Sequence, residues 1–319
     1  MSAVTIATTG RALVTGGAGF LGSHLVDRLV DDGWEVLVLD DLSSGKVSRL
    51  AGARRRGAVS IHQIDLRADE LMGTVGRFSP DLVFHLAAQT SVSASVSDPR
   101  RDADINIVGA VNLLEASSRA EVNRFVFTSS VAVYGREVDL PARENSSPRP
   151  ESPYGISKKV VEDYLRFWRK ERGLEFTVIR PSNIYGPRQD PSGEAGVVAV
   201  FSRSCVDRRR PTIFGSGSDT RDYVFVDDVV DALLRAAELG EGGIYNIGTG
   251  VETSTEEVFE RVARHARFGG GAIHGPPRRG DVPRSVLDWS LARDELGWRP
   301  FTTFEEGIGW TVDWFARSL

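Results

Sequence analysis

Tyr154 and Lys158 stand four residues apart in SPYGISKK, so a helix would put them on one face. A free phenol holds its proton to about pH 10. A nearby ammonium, helped by the positive ring of an oxidised cofactor, favours the phenolate. A phenolate can take the proton of an alcohol while hydride leaves the same carbon. The stretch also carries a helix start, with Ser152 suited to the N-cap and Pro153 to the first turn. The plain alternative is a tyrosine resting on a lysine stem. The residues upstream give the pair its weight.

Upstream, the apolar run RFVFTSS ends in three hydroxyls, Thr128, Ser129 and Ser130. The carboxyl ends of parallel strands form the ligand crevice of an open α/β sheet. A hydroxyl there can bond a substrate oxygen as its charge changes. Ser130 is assigned that role, and Thr128 and Ser129 are read as strand or cofactor-site hydroxyls.

A cofactor site is signalled by TGGAGFLGS, with Gly16, Gly19 and Gly22 between the first strand and a helix, and Phe20 and Leu21 opening that helix. Glycines let the backbone approach a pyrophosphate at a helix N-terminus, where free N–H groups favour an anion. Asp40 closes the second strand, where an acid binds the ribose diol of NAD and repels a 2′-phosphate. Asp41 adds like charge and Ser43 follows it; the first base beyond is Lys46. The cofactor predicted is therefore NAD. Asp65 and Leu66 after the third strand are placed at the adenine. Leu86, Ala87 and Ala88 after the fourth put small groups beside the cofactor.

These residues need a frame. RALVTG, WEVLVLD, AVSIHQID, DLVFHLAA, RFVFTSS and LEFTVIRPS read as six strands, with helices at about 68–78, 99–120 and 153–172. Apolar strands alternating with helices indicate a doubly wound, Rossmann-type parallel sheet covered on both faces. Beyond residue 181, YGPRQDPSGEAG and FGSGSDTRDY read as loops around a helix near 194–208. VFVDDVVDALLRAAELG reads as a helix, GGIYNIGT as a returning strand, and 254–266 as a helix, with two helical segments at the end. The expected fold class is α/β: a cofactor-binding Rossmann domain at 1–180, to which about 222–247 returns, and a smaller C-terminal α/β substrate domain from 181–221 and 248–319.

Composition narrows the partners. A formal charge of −5 over 319 residues argues against nucleic acid or an anionic membrane. Arg54–Arg56 and Arg208–Arg210 are read as solvated surface. The single cysteine, Cys205, can form no intrachain disulfide, which suits a reducing compartment and predicts a cytoplasmic protein. The five histidines and the cysteine lack metal-ligand spacing, so no metal is expected. No apolar run reaches membrane-span length. MSAVTIATTG reads as a short frayed tail rather than a signal peptide.

TGGAGFLG, HLAA, TSS with VYG, YGISK, RPSNIYGPRQ and RDYVFVDDVV together resemble the extended short-chain dehydrogenase/reductase family, nearest to its nucleotide-sugar epimerases of the UDP-glucose 4-epimerase type. The likeness spans nearly the whole chain after residue 10. It implies that Ser130, Tyr154 and Lys158 are catalytic and that Asn106 supports them. It implies that Pro181 and Ser182 line the nicotinamide and that Asn183 contacts a sugar-nucleotide phosphate. Arg221 and Arg278 match pyrophosphate-binding arginines, and Asp281 an acid on the nucleotide ribose. It also implies a homodimer through a four-helix bundle of the helices at 99–120 and 153–172.

The reaction so implied is 4-epimerisation of UDP-glucose and UDP-galactose through a 4-keto sugar, with NAD regenerated each turnover. Related 4,6-dehydratases carry an Asp-Glu pair after the catalytic hydroxyl, and related decarboxylases a Glu at the second position. Here those positions hold Val131 and Ala132, which cannot transfer a proton. Ser285 replaces a bulkier gate residue and predicts room for N-acetylated sugars. Thr90 replaces a frequent lysine. A 4-epimerase of UDP-glucuronate or a dTDP-hexose, an NAD(P)-dependent reductase, and a non-catalytic dinucleotide sensor are the competing readings.

Overall fold

The computed structural model describes residues 9–192, 196–277 and 282–318. Six strands come first: β1 (Arg11–Thr15), β2 (Glu35–Asp40), β3 (Val59–Gln63), β4 (Leu82–His85), β5 (Arg124–Thr128) and β6 (Phe176–Pro181). The helices among them are α1 (Phe20–Asp31), α2 (Ala51–Arg56), α3 (Glu70–Phe78), α4 (Val92–Ser97), α5 (Pro99–Ala103), α6 (Gly109–Arg119) and α7 (Pro153–Arg172). A π-helical turn, Asp104–Val108, joins α5 to α6. Then follow β7 (Asn183–Tyr185), α8 (Val197–Val206), β8 (Thr212–Phe214), β9 (Thr220–Phe225), α9 (Val226–Glu238) and β10 (Ile244–Ile247). The chain continues through β11 (Glu252–Ser254), α10 (Thr255–His265), β12 (Ile273–Gly275), β13 (Arg284–Ser285), α11 (Ser290–Leu296) and α12 (Phe304–Arg317).

One seven-stranded sheet runs β10-β6-β5-β4-β1-β2-β3, every pair parallel. Side chains alternate between its faces. Ala12, Val14, Val36 and Val38 pack into one core with Leu25, Leu29 and Leu233. Leu13, Leu37, Val83 and Phe125 pack into the other with Leu113, Leu165 and Trp168. Burial on both sides explains why these strands are apolar throughout. The edge strand β3 departs from that expectation: it is half-buried or exposed along its length. Chain order reverses between β1 and β4, which opens the ligand crevice at their carboxyl ends.

A third core, with Val198, Phe201, Tyr223, Phe225, Val258 and Ile308, joins α8, α10 and α12 to a smaller sheet around β9. There β9 pairs in parallel with β7 and β13 and antiparallel with β11, while β8 and β12 form a separate pair. The sequence reading is corrected here. TRDYVF is a strand rather than the end of a loop and the start of a helix, and the helix begins only at Val226. Its polar start hides it. Asp222 is fully buried because Thr249 N and Oγ1, Gly250 N and Leu287 N all donate to its carboxylate. The stretch after Asp40 also carries a 3₁₀ turn, Val47–Leu50, and α2, neither of which was read from sequence. The single long helix expected at 99–120 is interrupted by the π turn.

Candidate active site

The glycine loop is built for close approach. Gly16 has φ +69, and a Cβ there would lie 2.8 Å from Ala87 N; a Cβ on Gly22 would lie 2.2 Å from Gly16 O. Helix α1 starts at Phe20 and Leu21 without a side-chain cap and without an acid in its first turn, leaving N–H groups for an anion. Asp40 is buried, and its carboxylate accepts from Ala18 N and Leu42 N, each at 2.9 Å. Burial raises its pKa, and those two N–H bonds oppose the rise. Its remaining lone pairs fit ribose hydroxyls. Asp41 accepts from Ser43 N and Oγ. Asp65 is held by Arg67, and Leu66 is buried beside it. Leu86 and Ala87 donate backbone N–H bonds to Thr15 Oγ1, each at 3.2 Å, and Ala88 follows half-buried. A glycine cradle, an uncapped helix end and a diol acceptor are the donor and acceptor set NAD requires.

Helix α7 begins as the sequence predicts: the Ser152 side chain accepts from Gly155 N, and Pro153 opens the first turn. A Cβ on Gly155 would lie 2.5 Å from Ala132 O. That contact seats the helix directly on the turn after Ser130, a role for Gly155 that the sequence reading missed. The Ser130 hydroxyl acts on the Tyr154 phenol, lowering its pKa, and accepts from Ala132 N at 3.1 Å. Val131 and Ala132 lie in a short 3₁₀ turn and offer no acid.

Lys158 is buried, donates to Thr128 O at 2.9 Å, and lies 5.8 Å from the Tyr154 ring centre. Burial pushes it down to about 8, against the pull of Asp102 and Glu162. Burial pushes Tyr154 up to about 12, with Ser130 lowering it and Asp102 raising it. The expected phenolate rests on the ammonium together with the positive ring of an oxidised cofactor. In the chain alone desolvation wins, and the phenol needs a further positive charge beside it. Thr128 Oγ1 and Ser182 Oγ are buried without a hydrogen-bond partner, so polar capacity is left over around the pair.

Two polar clusters buttress this pair, and most of their members were not read from sequence. In the first, Asn106 of the π turn donates to Gln89 O, Asp102 Oδ1 and Ser157 Oγ and accepts from Gln89 N. In the second, Glu162 accepts from Ser129 Oγ at 2.6 Å, Arg180 Nε at 2.8 Å and Arg180 Nη2 at 2.6 Å. Arg180 Nη1 donates to Tyr134 Oη, which donates to Asn246 Oδ1. Glu162 is one turn beyond Lys158, the single sequence signal that could have found this cluster.

Toward the smaller sheet, Pro181 closes β6 and Ser182 N donates to Ile247 O. Asn183 lies in β7 opposite Tyr223. Arg221 lies in β9, half-buried, with Ser285 of β13 in register beside it. Thr90 is exposed. Arg278 and Asp281 fall outside the described residues. Among those described, no group of three or more acidic, histidine or cysteine side chains could hold a metal, and no helix is long and apolar enough to cross a membrane.

A family model described as the NAD dependent epimerase/dehydratase family matches residues 12–248. The UDP-glucose 4-epimerase of Mycolicibacterium smegmatis is 48% identical over 310 residues, covering 97% of this chain and 99% of that protein. The crystal structure of UDP-glucose 4-epimerase from Thermotoga maritima, with UDP-glucose, has a TM-score of 0.93 at 45% identity, covering 97% and 99%. That of the Thermus thermophilus UDP-glucose 4-epimerase complex with NAD has a TM-score of 0.89 at 43% identity, covering 97% and 100%. With the glycine cradle and the Ser-Tyr-Lys constellation in place, the chain belongs to the NAD dependent epimerase/dehydratase family.

Proposed function

We propose that the chain is an NAD-dependent nucleotide-sugar 4-epimerase acting on UDP-glucose and UDP-galactose. One observation carries the reading: Ser130, Tyr154 and Lys158 converge at the carboxyl end of the parallel sheet, and no carboxylate follows Ser130 in its turn. Tyr154 takes the proton of the sugar 4-hydroxyl and returns it after the 4-keto sugar has turned over. Ser130 bonds the same oxygen and the phenol together. Lys158 supplies the cationic field that favours the phenolate. Held by these residues, NAD would supply the acceptor and donor for hydride at C4. Val131 and Ala132 leave elimination of water or loss of carboxylate without a proton donor at that point.

Gly16, Gly19, Phe20, Leu21, Asp40, Asp41, Ser43, Asp65, Leu66, Leu86, Ala87, Ala88 and Pro181 are the proposed cofactor contacts. Asn183, Arg221, Arg278 and Asp281 are the proposed contacts of the nucleotide sugar. Residues 1–180 with about 226–247 serve as the cofactor unit, supported by the pairing of β10 with β6; the return expected at 222 moves to Val226 because β9 pairs within the smaller sheet. Residues 181–225 and 248–319 serve as the sugar-nucleotide unit. The small Ser285 beside Arg221 favours acceptance of N-acetylated sugars as well.

A homodimer through α5, α6 and α7 is supported by Ile156, Tyr164 and Phe167 of α7 and Val108 of the π turn, which leave apolar surface exposed there. Phe167→Asp should then sediment as a monomer; a monomeric parent chain overturns the assembly. A cytoplasmic location fits the single, buried cysteine, and recovery of the protein from the medium would contradict it.

The deciding experiment incubates the purified protein with UDP-glucose and follows UDP-galactose by proton NMR. Epimerisation without stoichiometric loss of NAD is expected, and a net change in NADH would point to a reductase.

A further inference from the structure

We propose that Asp102 is the counter-charge of Lys158, a positioning residue that keeps the ammonium charged without touching the substrate. This rests on the reading of Tyr154 and Lys158 as the working pair. Asp102 lies in the short helix α5, which packs against α7. It is 1% exposed. Its Oδ1 accepts from Gln89 Nε2 at 2.9 Å and Asn106 Nδ2 at 3.1 Å. Asn106 in turn reaches Ser157, the neighbour of Lys158. Its Oδ2 is buried without a hydrogen-bond partner, and among the described residues no cation pairs with it.

A buried carboxylate in that state is costly unless a nearby positive charge offsets it. The groups facing Lys158 leave Asp102 as the counter-charge. His85 of β4 is buried and pushed down to about 3, so it stays neutral. Tyr154 is protonated in the chain alone. Glu162 on the same helix is already neutralised by Arg180 and bonded by Ser129. Thr128 contributes only its carbonyl dipole. Asp102 is also the foremost group opposing the desolvation of Lys158, ahead of Glu162. The π turn gives this geometry a cause: the wider turn presents Asn106 to Gln89, Asp102 and Ser157 at once.

The chain has four lysines, Lys46, Lys158, Lys159 and Lys170. Carbon-13 labelling of lysine Cε therefore gives four titration curves, with Lys158 assigned by its loss in Lys158→Arg. In Asp102→Asn the Lys158 midpoint should fall by about one pH unit, while the other three stay put. Asp102→Glu should restore it, and the smaller neutral Asp102→Ser should reproduce the fall. With UDP-glucose, the alkaline limb of kcat in Asp102→Asn should move by the same amount, with KM unchanged. An unmoved Lys158 midpoint in the neutral variants overturns the proposal, even if kcat drops, because a merely structural role would not move the titration. If the midpoint moves but Lys158→Arg turns over normally, the counter-charge stands and the catalytic reading fails.

Discussion

Two buried polar clusters meet α7 within a turn of Lys158, and they are satisfied to different degrees. Around Glu162, three donor atoms meet two carboxylate oxygens, and the paired charge sits on Arg180. The chain of bonds runs on through Tyr134 to Asn246, which also donates to Ala142 O and Asp288 O. It ties the ends of β5, β6 and β10 to α7 and to the segment after β13. Around Asp102, one carboxylate oxygen is engaged by two amides and the other has no partner. A closed cluster gives a neighbour less, behind Asp102 in its pull on Lys158, so its main contribution is register and stability. An open cluster keeps a field, and its contribution is to charge. Two buried carboxylates, Glu162 on α7 and Asp102 on α5, serve different ends because of what surrounds them.

Tyr154 lies on α7, the helix both clusters meet, and removing its phenol gives the largest effect. Tyr154→Phe should lower epimerisation by about a thousandfold, within the range for losing a general acid–base, while UDP binding by calorimetry stays near wild type. Near-normal turnover in this variant would leave both clusters without a catalytic purpose.

The next contrast separates stability from charge. Glu162→Ala leaves the Arg180 guanidinium buried and unpaired, and should cost about 3–5 kcal/mol of unfolding free energy. Asp102→Asn keeps the shape and the acceptor oxygen, and should cost under about 1 kcal/mol. Urea unfolding of the two variants side by side tests this. Equal losses would erase the distinction between a closed and an open cluster.

The local parts of the site were legible in the sequence. Gly16 to Gly22, Asp40, Ser130, Tyr154 and Lys158 each sit at a strand end or a helix start that their own neighbours announce. The clusters were not, because their members meet only through the fold: Gln89 with Asp102, Arg180 with Glu162, Tyr134 with Asn246. Single residues such as Glu162 read as ordinary helix polarity until Arg180 comes from the neighbouring strand. The strand TRDYVF was lost for a related reason. Burial of Asp222 depends on donors from Thr249, Gly250 and Leu287, all distant in sequence. The desolvation that raises the Tyr154 pKa in the chain alone was also not legible, because sequence gives the ammonium but not the burial around the phenol.

Lys158 gives the pH dependence, with its sign set by burial. It loses its proton near 8, below its ordinary 10.5. The ammonium is present below that value, so turnover should fall as pH rises through about 8 to 9, approaching about tenfold per unit. Its stability contribution runs the other way. Between about 8 and 10.5 the unfolded chain binds the proton and the folded chain does not, so stability rises with pH across that window. Lys158→Met should remove both slopes in paired activity and urea series. A turnover profile that stays flat to pH 10 would mean that the lysine is not buried as described.

The smallest expected effect lies away from both clusters, at the sugar end. Ser285 is half-buried on β13, in register with Arg221. Two residues later Leu287 donates to Asp222, and Asp288 O accepts from Asn246 of the closed cluster. Ser285→Tyr adds bulk beside the proposed diphosphate contact without touching the Tyr154 pair. It should lower kcat/KM for UDP-GlcNAc about tenfold relative to UDP-glucose, the scale of a steric mismatch in a pocket. Combined with Asp102→Asn, its effect should multiply independently, since the two sites share no partner. A strong coupling between them would show that the closed cluster transmits strain from the sugar end to Lys158. The division of labour between the two clusters would then have to be redrawn.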